Sequence, residues 1–215
     1  MKKIQSCILL CLCALSMQAQ TLNQQGNAIE QMVPDGWEHE EAQGDLNKDG
    51  INDLVILAKP NFKENMKTRD DGYVYNFNKY ILAIYFGQPE GDFLLWKQYK
   101  ELFPANDEWS SVDVELNINE RGALNIETSL FSSGGSYGTG RTRYTYRYQN
   151  GDFYQIGMES IYMMRNTGEM TTVSENYLTW KRQTIKDNAF EEVKKKETWS
   201  KMPKKPLEKL GDHEL

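Results

Sequence analysis

The feature that most constrains this chain is a period-two alternation of apolar and polar residues that begins near Leu54 and runs through most of the remaining chain. Val112, Val114, Leu116 and Ile118 alternate with Asp113, Glu115 and Asn117. Successive side chains on a strand point to opposite faces, so this run has one face for a core and one for water, a division that a helix would scatter. The turn Asn119-Glu120-Arg121-Gly122 leads into Leu124, Ile126, Thr128 and Leu130, and the two runs read as a hairpin. Tyr144, Tyr146 and Tyr148 then alternate with Arg143, Thr145 and Arg147. Asn150-Gly151 comes next, a pair suited to the positive φ angles of a tight hairpin turn, and Tyr154, Ile156 and Met158 resume the alternation. The pattern predicts a second hairpin over residues 142–149 and 152–158.

Residues 80–86 are apolar on both faces and read as a central strand, joined through Gly87-Gln88-Pro89-Glu90-Gly91 to a strand over 93–99. Residues 177–184 are a further strand candidate. Helix patterns are short, at 22–32 and 189–199. The polar, charged stretch 61–76 reads as an exposed loop, and 194–215, rich in Lys, Glu and Pro, as an extended tail. A chain of 215 residues can bury a core without disulfide staples. The expected fold is mainly β, with antiparallel sheets and hairpins in a partly propeller-like or sandwich-like arrangement and one or two short helices. A β-rich domain over 20–193 precedes the tail.

The first 19 residues differ from the rest. Lys2 and Lys3 precede an apolar run from Ile8 to Leu15, and Met17-Gln18-Ala19 ends on a small residue. This is the pattern of a secretory signal peptide, with cleavage expected after Ala19 and Ser16 as the alternative. Leu10 and Leu12 stand before Cys11 and Cys13, where a lipoprotein needs a small residue. An exported mature chain loses Cys7, Cys11 and Cys13, all of its thiols, and with them disulfide bonding and cysteine catalysis. It also loses two lysines, leaving 23 basic against 31 acidic residues, a net charge of −8. That acidity argues against nucleic acid as a partner, and no later segment is apolar for the ~18 residues of a membrane span.

The sharpest local signal is Gly44-Asp45-Leu46-Asn47-Lys48-Asp49-Gly50-Ile51-Asn52-Asp53, followed by Leu54-Val55-Ile56-Leu57-Ala58. Counting Asp45 as loop position 1, oxygen-bearing side chains fall at positions 1, 3, 5 and 9, with Gly50 at position 6. Ca²⁺ takes six to eight oxygens in flexible geometry, and a loop that coils around it turns every second side chain inward, with glycine at the sharp bend. Position 7, Ile51, would offer its backbone carbonyl. Position 12 is Ile56, where an EF-hand needs a bidentate glutamate, and a β-branched run stands in place of a helix. The segment resembles the calcium loop of FG-GAP, or integrin-type, propeller repeats, in which an Asp-x-Asp-x-Asp-Gly-x-x-Asp loop joins two strands. The likeness covers about 15 residues and occurs once, with Asn47 where the family commonly has Asp. It implies a Ca²⁺ site formed by Asp45, Asn47, Asp49, Ile51 through its carbonyl, and Asp53. The competing reading is an ion-free turn, because Asp, Asn and Gly favour turns for local reasons.

Other motifs are weaker. Gly134-Gly135-Ser136-Tyr137-Gly138 matches a nucleophile elbow, but that device needs a helix after it and a histidine base, and only His39 and His213 exist. Residues 135–142 approach a phosphate loop with Arg141 in place of lysine. Trp37-Glu38-His39-Glu40-Glu41 reads as a solvated approach to the aspartate-rich loop, and Asp107-Glu108 as an acidic cluster before Trp109. Trp109, Tyr137, Tyr144, Tyr146 and Tyr148 could present rings to a sugar, although alternating tyrosines more often pack across strands. The lysines of 194–196 and 201–205 read as a solvated terminal segment.

The sequence thus supports an exported, non-enzymatic β-domain that binds Ca²⁺ and interacts with a protein or glycan of the cell envelope or exterior. The alternatives are an exported hydrolase with carboxylates dispersed in sequence, acting on glycan or peptide, and a carbohydrate-binding module.

Overall fold

Apolar runs wet on neither face and alternating runs wet on one face sort into different sheets. The computed structural model of the protein describes residues 21–108, 110–132, 136–192 and 194–215. The expected leader 1–19 with its cysteines, Trp109, and Gly134 and Gly135 lie outside the described residues. In chain order the elements are β1 (Gln25–Gly26), α1 (Ile29–Met32), β2 (Glu38–Gly44), β3 (Asp53–Lys59), a 3-10 turn (Lys63–Asn65), β4 (Met66–Thr68), β5 (Val74–Asn76), β6 (Ile81–Gly87) and β7 (Phe93–Tyr99). They continue as β8 (Ser110–Ile118), β9 (Ala123–Ser132), β10 (Gly138–Gln149), β11 (Asp152–Met164), β12 (Glu169–Asn176), β13 (Lys181–Asn188) and β14 (Lys196–Lys201).

The fold is mainly β, and its strand pairings are antiparallel. One sheet has five strands in the order β1-β7-β6-β3-β2, and a second is a seven-stranded meander from β8 to β14, curled like half a barrel. The two pack over a shared core. Val55, Leu57, Leu82, Ile84 and Tyr99 of the first sheet meet Val112, Val114, Leu124, Ile126, Tyr146 and Phe153 of the second. A smaller core lies on the other side of the five-stranded sheet, where Leu22, Met32, Val33 and Trp37 cover Leu54, Ile56, Ala83 and Tyr85. β3 is therefore buried along its whole length and β6 along nearly all of it, which accounts for their apolar runs. The β8–β9 and β10–β11 hairpins read from alternation are present, as is the β6–β7 pair read from an apolar run and its glycine-bounded turn. In the last, Asn150 and Gly151 take φ of 51° and 77° and Gln149 pairs with Asp152, a two-residue turn.

Several expectations are corrected. The 22–32 helix is a single turn, α1, with no side-chain cap, because Gln25 and Gly26 pair with β7 instead. The 189–199 segment is a bend followed by β14, since the open edge of β13 supplies a ladder of backbone partners that outweighs a weak helical pattern. Residues 177–180 form a turn, with Trp180 at φ 56°, and the strand begins at Lys181. The 61–76 loop contains the β4–β5 hairpin. The polar residues after Trp37 form β2, an edge strand whose hydrogen bonds to β3 do not require apolar side chains. Among the described residues no helix is long and apolar enough to cross a membrane.

The tail expected over 194–215 packs onto the domain. Beyond β14 the chain returns along β11, where Gln155 N donates to Glu208 O (2.8 Å) and Leu210 N to Phe153 O (2.9 Å). These bonds use the part of β11 that β12 leaves unpaired, since β12 pairs only with residues 157–163. Leu210 is 1% exposed within the main core, and Lys209 pairs with Asp152 at 2.9 Å. Leu210→Ala should therefore destabilise the protein by about 2–5 kcal/mol in urea unfolding, as deletion of a core leucine does. A cost within experimental error would mean that the tail does not contribute to the core.

Candidate functional site

The aspartate-rich loop joins β2 to β3, and Gly44 pairs with Asp53 across its base. Lys48 and Gly50 adopt φ of 68° and 87°, so the chain turns twice in the left-handed region, where glycine is at ease and lysine is not. The side chains hold these bends. Asp45 Oδ1 accepts from Lys48 N (2.7 Å) and Asp49 N (3.2 Å), and its Oδ2 accepts from Gly50 N (3.1 Å). Asn47 Oδ1 also accepts from Asp49 N (3.0 Å), and Asn47 Nδ2 donates to Asp49 Oδ2 (2.9 Å). Asp49 Oδ1 accepts from Ile51 N (2.8 Å). Asp45, Asn47 and Asp49 are thus brought together at the mouth of the turn.

Asp53 is the buried member of the set. It is 0% exposed, and its carboxylate accepts from Leu46 N (2.8 Å), Asn47 N (3.2 Å) and, across the sheet, Gly87 N (3.0 Å). Burial pushes its pKa up from the ordinary carboxylate value, while the three N–H donors pull it down. The loop in turn joins the sheets: Leu46, 1% exposed, enters the shared core, and Gly122 in the β8–β9 turn lies against the loop. A side chain at Gly122 would run into Asp45's carbonyl oxygen and the Lys48 ammonium, so only glycine permits this approach. Among the described residues, no three Asp, Glu, His or Cys side chains are gathered as a metal cage. The fit to an ion rests on the Asp45, Asn47 and Asp49 oxygens and the nearby main chain. An ion entering there would have to replace the Asn47–Asp49 side-chain hydrogen bond.

A second feature was missed by the sequence reading. A cleft of about 470 Å³ opens where the β2 end of the first sheet, the β4–β5 hairpin and the start of β8 meet. Tyr73, Tyr75 and Phe77, in and beside β5, line it, with successive ring centroids 4.8 Å and 5.7 Å apart. Glu38, Asp107, Glu108 and Asp113 contribute carboxyl groups, and an ion pair between Lys67 and Glu108 ties the hairpin to the loop before β8. Lys59 is only 8% exposed; its Nζ lies 4.6 Å from the centroid of the Tyr80 ring. Burial lowers the Lys59 pKa, against the nearby Glu38 and Asp113 charges, and raises that of Tyr80 to about 12. The signal for this wall was the same period-two alternation, at Tyr73, Tyr75 and Phe77, within a stretch dominated by charges.

The weaker motifs resolve plainly. Tyr146 is fully buried and Tyr144 and Tyr148 pack against the same core, so the alternating tyrosines form an inner, packing face and not a surface for sugar. Ser136 Oγ accepts from Gly138 N at 2.9 Å, and strand β10 follows instead of a helix, so the nucleophile-elbow context is missing. The same strand removes the helix N-terminus that a phosphate loop would use. His39 lies on β2, and His213 Nδ1 is 3.4 Å from Glu208 in the C-terminal segment. The basic run contributes β14, and Lys195 pairs with Asp187 at 2.9 Å.

Compared with protein-family models, curated proteins and solved structures, the chain matches none. The geometry of the loop leads to a ranking of its acids. Asp53→Ala leaves three main-chain donors without their acceptor and should cost about 2–4 kcal/mol in urea unfolding with EDTA present. Asp49→Ala, at an exposed position, should cost less than about 1 kcal/mol under the same conditions. Equal costs would contradict the anchoring role of Asp53.

Proposed function

We propose that the protein is an exported, non-enzymatic β-domain that holds one structural Ca²⁺ in the 45–53 loop and acts by binding a protein or glycan at the cell envelope. One observation supports the calcium reading above the others: the side-chain oxygens of Asp45, Asn47 and Asp49 meet at one turn whose backbone is already bent by Lys48 and Gly50. The spacing resembles the FG-GAP loop, and the β2–loop–β3 hairpin has the strand–loop–strand form of that family. Asp45, Asn47, Asp49 and the Ile51 carbonyl would hold the ion, with Asp53 beneath them fixing the turn and adding its charge. The ion would offset the repulsion between carboxylates crowded into nine residues. Extracellular modules bind Ca²⁺ with dissociation constants of about 10⁻⁴ to 10⁻³ M, and such a site fills outside the cell.

A site of that strength contributes about 1.4–2.7 kcal/mol at 10 mM Ca²⁺, by mass action. For a chain of this size the melting temperature should then rise by about 3–10 °C over the EDTA-treated protein. The double variant Asp45→Asn, Asp49→Asn should show no rise. A wild-type protein that melts at the same temperature with EDTA and with saturating Ca²⁺ refutes the calcium reading.

The reading of an exported hydrolase is favoured by the convergence of Glu38, Asp107, Glu108 and Asp113 on one cleft. It requires turnover of a glycan or peptide polymer, detected as new ends by mass spectrometry, that Asp113→Asn abolishes without lowering the melting temperature. Turnover that persists in this variant and in Glu38→Gln counts against the cleft as its site.

A further inference from the structure

The face of the seven-stranded sheet turned away from the core carries a groove of about 390 Å³. Its walls come from β9 through β14, a continuous hydrogen-bonded surface, so its polar groups are set by strand register instead of by a loop. At its floor lies Gly157, next to the register shift between β10 and β11 at Thr145 and Tyr146. Bulges and strand glycines mark places where a sheet is bent and a ligand can approach backbone closely.

At one side stands Trp199, 62% exposed on the edge strand β14. Its indole N–H donates to Glu197 Oε1 at 2.5 Å, and Gln183 Nε2 donates to the same oxygen at 2.9 Å. The polar edge of the ring is therefore held while much of the side chain stays open to solvent. On the other side, Arg143 is paired with Glu127 at 2.7 Å and lies 3.7 Å from Glu159, whose second oxygen accepts from Ser174 Oγ at 3.3 Å. Thr145 Oγ1 donates to Asn125 Oδ1 at 2.9 Å. Two cations, Arg143 and Lys181, and the acid Glu159 line the groove, and Glu127, paired with Arg143, and Glu197, bonded to Trp199 and Gln183, stand on the same face, so charges of both signs are interleaved there.

A strongly anionic or cationic ligand gains little from a mixed lining of this kind. A neutral molecule rich in hydroxyl groups gains from it, because each hydroxyl both donates and accepts, and so can meet carboxylate, guanidinium, amide and threonine groups alike. An oriented, exposed indole adds a flat apolar surface of the sort that covers the C–H face of a pyranose. We infer that this groove, with Trp199 as its stacking surface and Asn125, Arg143, Glu159 and Gln183 as its polar contacts, binds a neutral saccharide. This rests on the reading of the protein as a binding module and supplies the ligand class; it does not depend on the calcium site.

The test is an array of immobilised neutral and acidic oligosaccharides probed with the full chain, in Ca²⁺ and in EDTA, alongside Trp199→Ala and Gln183→Ala. Both variants alter exposed or half-buried positions, and their melting curves serve as the control for folding. Retention on one or more neutral glycans, weakened about tenfold or more by Trp199→Ala at unchanged melting temperature, is the expected result. Tyr73→Ala, in the other cleft, should leave that retention unchanged. Absence of binding to any neutral glycan, preference for acidic ones, or equal retention by Trp199→Ala overturns the inference. If the array fails while Ca²⁺ still raises the melting temperature, the saccharide site alone is lost. If neutral glycans are bound and also cleaved, the non-enzymatic reading is what fails.

Discussion

The carboxylate of Asp53 sits at the start of β3, where the aspartate-rich loop joins the five-stranded sheet. It receives N–H groups from both ends of that region: Leu46 and Asn47 at the start of the loop, and Gly87 at the end of a neighbouring strand. Removing a carboxylate from water is costly unless its oxygens find donors, and here the donors are main-chain groups that a tight turn would otherwise leave without partners. The interaction therefore acts in two directions. It makes burial of the acid tolerable, and it fixes a loop geometry that sends Leu46 into the shared core and leaves Asp45, Asn47 and Asp49 hydrogen-bonded to one another's backbone and side chains at the mouth of the turn. The proposed ion would be a second layer on a turn already shaped from below.

That arrangement explains why the polar surfaces lie where they do. The β2–β3 hairpin is closed by the anchored loop, which presses against the β8–β9 turn and holds the sheets face to face. With the inner faces committed to packing, polar chemistry is left to the rims and the outer face. The acidic, tyrosine-lined cleft forms at one rim, where β2, β5 and β8 converge, and the mixed-charge groove forms on the outer face of the meander. Both are carried by strands, and the returning C-terminal segment fills the one part of β11 that the meander leaves unpaired.

Much of the architecture was legible because alternation translates directly into faces. The 112–118, 124–130, 142–149 and 152–158 runs all became strands, and their core-side residues include Val112, Val114, Leu124, Ile126 and Tyr146. What escaped lacks such a signal. β2 is polar because it is an edge strand, held by backbone bonds to β3. The C-terminal segment looks like solvated tail because so many of its residues are charged, and its packing into the core is carried mainly by Leu210. Within the loop, four oxygen-bearing side chains in ligand spacing look equivalent in sequence. Only the fold separates Asp53, fully buried and bonded across the sheet to Gly87, from the three that bond within the loop and stay partly or fully exposed. The groove beside Trp199 was illegible for a different reason: it depends on register among six strands, which no local pattern encodes.

The most direct test of the Asp53 anchor is native-state hydrogen exchange at the amides of Leu46, Asn47 and Gly87, measured without added metal. If the carboxylate fixes this junction, these three amides exchange only through global unfolding, as slowly as the central residues of β3 and β6. If they exchange orders of magnitude faster than those strands while the rest of the core remains protected, the junction opens independently and the account of Asp53 as the anchor of the fold is wrong.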